Sequence, residues 1–374
     1  VIIIRRFWTG NIASAEGALR AGCNFYAGYP ITPSSDLMEY MARELPKRGG
    51  IFIQGEDEIA SINMLIGASI AGAKAMTATS GPGFSLMQEG IGLAVMLEAP
   101  LVIVDVMRLG PATGQATKSG QGDLMQSRWG RHGDQVLVVY APSSVKEAFL
   151  LTIKAFNTAE SLRTPVVVLL DELIGHLWEV IDVPEDIEVV ERIWGSEPGA
   201  FFDSEVPEKT PPMPKLGVGL NVLYTGSTHD GYGFRKTQDP DAHNKLVRRI
   251  HRKIYGNLDR IFIYDYHGED APDILFITFG SVSRPTMEAV DILNSDGYKA
   301  GILKLMTLWP IDYSVLKSFV NKSQIVIVPE MNLGQLIHDV KMVGGDKVYG
   351  FNKIGGGIPI YSSELVGYAK EVYK

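Results

Sequence analysis

The sequence predicts an α/β protein of two doubly wound, mainly parallel-sheet domains joined by a proline-rich connection, and three observations carry that prediction. Short apolar runs alternate with helix-length segments, the repetition that builds doubly wound folds. The runs show no period-two alternation, and a parallel strand covered on both faces reads as continuously apolar. Between residues 183 and 217 the composition changes: six prolines (Pro184, Pro198, Pro207, Pro211, Pro212 and Pro214) stand among acidic residues. The strand–helix repetition then resumes at Asp273.

The first domain spans residues 1–182. Strands are expected over 25–28, 51–54, 74–79, 101–106, 136–140 and 165–170, with helices over 12–21, 35–47, 58–73, 84–96 and 144–162. The opening VIIIRRFW reads as a truncated first strand rather than a signal peptide, because no small-residue cleavage site follows a long apolar core. Residues 183–272 are too long for a turn and contain a basic helix over 244–254, whose charges read as a solvated face. The second domain, 273–374, has strands over 274–278, 300–304, 324–328 and 347–350, with helices over 285–294 and 312–320.

The bulk composition narrows the function. The 374 residues carry a formal net charge of −8, which argues against a generic nucleic-acid binder. No apolar stretch reaches the roughly 18 residues of a membrane span. The one cysteine, Cys23, can form neither an internal disulfide nor a cluster site, and a cytoplasmic location is expected. The histidines show no metal-ligand spacing, and no metal is expected in this chain. His132, in GRHGD, falls near the candidate site as a structural residue.

Four strand-to-helix corners concentrate ligand-capable groups. In YPITPSS, residues 29–35, each proline holds the residue before it extended, Pro33 suits a first helical turn, and Ser34, Ser35 and Asp36 offer caps. Such a corner aims the Thr32 hydroxyl and free amides outward from the carboxyl end of a strand, where open α/β sheets bind ligands and helix starts favour anions. In GEDEIAS, three acids precede a helix apolar nearly all round, which is buried or at an interface; Glu58 at its head then has a carboxyl of raised proton affinity. In TATSGPGFSLMQEG, small residues permit close backbone approach, with neither GxGxxG nor a GK[ST] ending. In MRLGPATGQATKSGQGDL, Arg108 follows a buried strand and is shaped to grip a carboxylate. Read singly, each corner also fits a plain turn, a helix-dipole partner or a surface charge.

Together YPITPSS, GEDEIAS, ATSGPGFSLM and RLGPATGQATKSGQGDLMQSRWGRHGD resemble the α subunit of 2-oxoacid:ferredoxin oxidoreductases, with the long loop closer to the 2-oxoglutarate and branched-chain members. Leu109 and Ala112 depart from the family's GGPSTG. FITFGSVSRPTMEAV through PEMNLGQL is similar to the transketolase C-terminal module of that family. The resemblance implies a pyrimidine-binding thiamine-diphosphate module at 1–182, a connection and intersubunit arm at 183–272, and a transketolase C-terminal-like domain at 273–374. It implies that Glu58 bonds the aminopyrimidine, that Thr32 and Arg108 hold the 2-oxoacid, that Thr117 bears on substrate preference, and that Tyr29, Pro30, Ile31, Ser80 and Gly81 line the cofactor. The implied reaction converts a 2-oxoacid, 2-oxoglutarate as the first candidate, and coenzyme A to acyl-CoA and CO2, with electrons passing to ferredoxin.

The chain lacks the GDG…Asn diphosphate motif and cluster cysteines. The resemblance therefore implies a β subunit holding Mg2+, the diphosphate and a [4Fe-4S] cluster, with γ and ferredoxin-like δ subunits, α–α contacts in the assembled complex, and an arm, GSTHDGYGFRKTQDPD, that packs against neighbouring subunits. The alternatives are a branched-chain (2-oxoisovalerate) enzyme subunit, a non-catalytic assembly subunit of the same fold, and a phosphate-binding α/β enzyme unrelated to thiamine.

Overall fold

The computed structural model describes residues 3–206, 208–354 and 357–374. Val1 and Ile2 of the expected first strand, and Pro207 of the proline-rich connection, lie outside them. In chain order the strands are β1 (Ile3–Thr9), β2 (Phe25–Gly28), β3 (Ile51–Gln54), β4 (Ala75–Thr79), β5 (Leu101–Met107), β6 (Val138–Tyr140), β7 (Pro165–Asp171), β8 (Trp178–Pro184), β9 (Trp194–Gly195) and β10 (Met213–Pro214). They continue with β11 (Tyr264–Gly268), β12 (Ile274–Thr278), β13 (Ala300–Leu305), β14 (Thr307–Trp309), β15 (Ile325–Glu330) and β16 (Val348–Asn352).

The first sheet has seven strands in the order β14-β6-β7-β5-β4-β2-β3, all parallel except β14, which runs antiparallel to β6. Strands β4, β5 and β7 are buried at every residue, because helices cover both faces, and this is why they carry no alternation. One face packs Ile62, Leu65, Phe84 and Ile91, the other Ala15, Leu19, Phe149 and Phe156. The second sheet has five strands in the order β11-β13-β12-β15-β16, parallel apart from the antiparallel edge strand β11.

Two short strands join segments that the sequence keeps apart. Thr307–Trp309, from the second domain, closes the edge of the first sheet, while Tyr264–Gly268, from within the connection, edges the second. The opening strand likewise joins neither main sheet: it pairs antiparallel with β8. The expected helix over 84–96 is two, Gly81–Leu86 and Gln88–Leu97.

The basic helix, Pro240–Tyr255, corrects a second expectation. Arg248 and Arg252 are exposed, but Arg249 and Lys253 are buried on Glu98, itself fully buried. Both Arg249 guanidinium ends donate to the Glu98 carboxylate, and Lys253 Nζ donates to Glu98 Oε2 at 2.6 Å and to the Arg163 carbonyl at 3.0 Å. The connection is tied to the first domain in the same way. Arg192 forms a two-pronged pair with Glu160, and Arg163 Nη1 donates to the carbonyls of Phe201, Pro211 and Pro212.

Candidate active site

The four corners follow β2, β3, β4 and β5, which stand side by side as β5-β4-β2-β3. Their carboxyl ends therefore open on one edge of the molecule. Gly28 pairs with Gln54, and Thr79 with Asp105, so the turns start at similar heights.

At the first corner Tyr29, Pro30 and Thr32 are exposed and Ile31 is half-buried. The Thr32–Pro33 peptide is cis, and the helix starts beyond Pro33, at Ser35. Ser34 does not cap it: the Ser34 hydroxyl donates back to the Ile31 carbonyl at 2.9 Å. Asp36 supplies the local acceptor for the Leu37 amide at 3.1 Å. The turn is thus bonded within itself, leaving the Thr32 hydroxyl outward.

Glu58 opens the Glu58–Ala71 helix, whose cap is Asp57 accepting from the Ala60 amide at 2.7 Å. The Glu58 side chain is only 5% exposed, and burial, reinforced by Asp57, raises its proton affinity above the ordinary range. It reaches across to the third corner, where a β-carbon on Gly83 would collide with Glu58 Oε1 and Thr79 Oγ1. Glycine at 83 is what lets the carboxyl lie there. Thr79 Oγ1 and Ser80 Oγ are buried with no hydrogen-bond partner among the described residues, an arrangement that buried polar groups seldom tolerate unless something completes it.

Arg108, after β5, is 7% exposed and donates from Nη1 to the Thr32 carbonyl at 2.8 Å. The first and fourth corners are therefore one bonded unit. Thr117 is not part of it: it is exposed near the end of a loop closed by the Gln115 amide on Leu109 and the Leu109 amide on Lys118, both at 2.8 Å. His132 lines a separate cleft with Glu89, Arg235 and His243.

A cavity of about 460 Å³ lies beside Arg108 and has walls from both domains: Gly81, Ser85, Asp123, Asn332 and Gln335 among them. The wall from the second domain is held by two buried groups. Glu330 accepts from the amides of Gln335, Leu336 and Ile337, shaping the PEMNLGQL turn. Gln121 donates to Phe279 O at 3.2 Å and accepts from the Met331 amide at 3.0 Å. Asp171, at the end of β7, accepts from the Ser281 amide at 2.5 Å; burial pushes its pKa up to about 7.

Sequence reasoning missed Gln121, Glu330 and three acids: Asp105, Asp123 and Asp171. Asp105 and Asp171 carried a signal, a lone acid in or ending a strand otherwise wholly apolar (LVIVDVM, PVVVLLD). Glu330 carried the same signal, ending the buried strand IVIVPE, whereas Gln121 and Asp123 sit in polar company and carried none.

Comparison with known proteins accounts for most of the chain. Residues 16–249 match the family described as pyruvate flavodoxin/ferredoxin oxidoreductase, thiamine diphosphate-binding, and residues 272–363 match pyruvate:ferredoxin oxidoreductase core domain II. The chain is 49% identical over 94% of its length, and 95% of the relative's, to the 2-oxoglutarate synthase subunit KorA of Methanocaldococcus jannaschii. It is 35% identical, over 93% of each, to the ketoisovalerate oxidoreductase subunit VorB of Methanothermobacter thermautotrophicus. A solved 2-oxoglutarate:ferredoxin oxidoreductase from Magnetococcus marinus, with 2-oxoglutarate, coenzyme A and succinyl-CoA bound, superposes with a TM-score of 0.94 at 34% identity; this chain is covered completely and spans 65% of that one. The chain belongs to the pyruvate flavodoxin/ferredoxin oxidoreductase family and is a 2-oxoacid oxidoreductase subunit with a thiamine-diphosphate-binding domain.

Proposed function

We propose that this chain is the pyrimidine-binding subunit of a 2-oxoglutarate:ferredoxin oxidoreductase, which converts 2-oxoglutarate and coenzyme A to succinyl-CoA and CO2 and passes the electron pair to ferredoxin. The observation that carries the reading is the placing of a buried Glu58 of raised proton affinity and an Arg108 fixed to the Thr32 turn at one end of one sheet. The higher identity to the 2-oxoglutarate synthase subunit than to the ketoisovalerate one supports that substrate.

The residues fit thiamine diphosphate on its aminopyrimidine side. The partnerless Thr79 and Ser80 hydroxyls, the close approach at Gly83 and the exposed Tyr29–Pro30 edge offer a polar floor and an apolar wall. Bound there, thiamine diphosphate would supply the carbon nucleophile and electron sink that decarboxylation of a 2-oxoacid requires. Glu58 would exchange a proton with a ring nitrogen, a role its raised proton affinity suits. Tyr29, Pro30, Ile31, Ser80 and Gly81 would line the ring. Arg108 would grip the substrate carboxylate with its remaining N–H groups, Thr32 would bond it, and Thr117 would tune the choice of acid from the loop.

The diphosphate, Mg2+ and a [4Fe-4S] cluster fall to a β subunit, with γ and ferredoxin-like δ subunits completing a cytoplasmic assembly. Exposed apolar side chains on the Glu58 helix and beside it, Ile59 (49%), Met64 (36%) and Leu86 (49%), support a partner over the open edge. The test is co-expression with the β partner and a panel of 2-oxoacids, read by viologen reduction. Coenzyme A-dependent turnover highest with 2-oxoglutarate supports the reading. A preference for 2-oxoisovalerate moves it to the branched-chain class, and turnover by the β partner alone removes this chain from the chemistry.

A further inference from the structure

Asp105 sits near the middle of the buried strand β5 and is completely inaccessible. Its lateral neighbours, Thr79 on β4 and Leu169 on β7, are uncharged. Neither Asp105 oxygen receives an N–H or O–H bond among the described residues, and the same holds for Asp123 Oδ2. The two carboxyls instead lie within hydrogen-bonding reach of each other. Two carboxylates cannot bond unless a proton lies between them, and two buried like charges in contact cannot both ionise. Gly81 comes up against Asp123, where a β-carbon would touch both its oxygens at 3.4 Å. Among the described residues the cation acting on the pair is Arg108, which lines the same cavity as Asp123. Burial first, and the Asp123 carboxyl after it, raise Asp105 well above the usual carboxyl range; burial raises Asp123 too, opposed first by its hydrogen bond with Asp105 and then by Arg108.

We propose that Asp105 and Asp123 hold one proton between them, and that the resulting single negative charge positions Arg108 for the substrate carboxylate. Asp105 is a positioning residue: it acts through Asp123, and Asp123 acts through Arg108. A doubly ionised pair would draw the guanidinium inward and compete with the substrate for it. A doubly neutral pair would leave Arg108 with no buried counter-charge. The shared proton keeps the Arg108 ends not bonded to Thr32 available at the cavity.

The inference rests on the proposed function for its kinetic arm, so the test adds a spectroscopic arm that does not depend on substrate. In the assembled complex, infrared difference spectra of wild type against D105N are expected to contain a protonated buried carboxyl band that persists well above the usual carboxyl range in wild type and is missing from D105N. Kinetically, D105N, whose amide can still donate to Asp123, is expected to keep KM for the 2-oxoacid within about 3-fold of wild type. D105A and D123N are expected to raise it 10-fold or more with kcat changed less. Wild type is expected to lose affinity for the 2-oxoacid at alkaline pH, as the shared proton leaves, and D105N to lack that limb. Absence of the infrared band, an alkaline limb retained in D105N, or a D105N KM as poor as that of D105A would each overturn the proposal. A wild-type complex inactive with every 2-oxoacid but showing the band would sink the proposed function and leave the shared proton standing.

Discussion

Two regions of the first domain bury acid, and they do so in opposite ways. Glu98 is fully buried and meets Arg249, Lys253 and the nearby Arg163, which hold its pKa far below the usual carboxylate range against the cost of burial. Glu58, Asp105 and Asp123 are also buried, but all three are raised, and Arg108 opposes the shift at Asp123 alone. In the first arrangement the carboxylate meets its cations within the chain, and it works as a staple. The second is left incomplete, and that deficit marks the place where chemistry is expected. A buried carboxylate ringed by cations tells of structure; a buried acid of raised proton affinity tells of function.

The sharpest way to break that contrast is to remove one acid from each side. Glu58→Gln is expected to lower decarboxylation by about 10²–10⁴-fold, the range of a lost proton-exchange group, with little change in melting temperature. Glu98→Gln is expected to do the reverse. Leaving Arg249 and Lys253 buried with half their counter-charge should destabilise the chain by about 3–5 kcal/mol, measured by denaturant unfolding, with activity per folded molecule preserved. If Glu58→Gln melts the protein and Glu98→Gln silences it, the distinction fails.

Arg108→Ala is next in size. Losing a charged hydrogen bond to a carboxylate should cost about 1.5–3 kcal/mol, seen as a raised KM for the 2-oxoacid, while the melting temperature stays close to that of wild type. A smaller effect sharpens the picture at the domain junction. Asp171 rises from 3.8 to about 7, so between those values the folded chain keeps a proton that the unfolded chain has released. Stability should therefore fall as pH rises across that window, and Asp171→Asn should flatten the slope. The smallest effect expected is at Thr117, exposed on its loop: Thr117→Ala should shift the ratio of 2-oxoglutarate to 2-oxoisovalerate use with no change in stability.

How much of this was legible in the sequence depended on distance along the chain. The four corners were readable because their signals are local: prolines fix their own neighbours, glycines admit close approach, and an apolar strand announces its burial. The grouping of those corners followed from strand order alone. What could not be read was anything settled by a remote partner. Arg249 and Lys253 looked like a solvated face because Glu98, more than 150 residues away, gives no sign of them. Strands β11 and β14 are three to five residues long and take their identity from sheets built by other segments. Asp105 was visible as an oddity in an apolar run, yet its meaning depended on Asp123 arriving from the far side of a long loop.

The crossing of Thr307–Trp309 into the first sheet has a consequence for how the chain can be divided. Trp309 Nε1 donates to Ser127 Oγ at 3.1 Å, and the guanidinium of Arg128 lies 4.3 Å from the Trp309 ring centre. The amino-terminal half borrows its outermost strand from the other half. Cut at residue 272, it would present the bare hydrogen-bonding flank of Val138–Tyr140 to solvent, an invitation to sticky self-association. The two halves are thus expected to melt as one, whatever their separate ancestries.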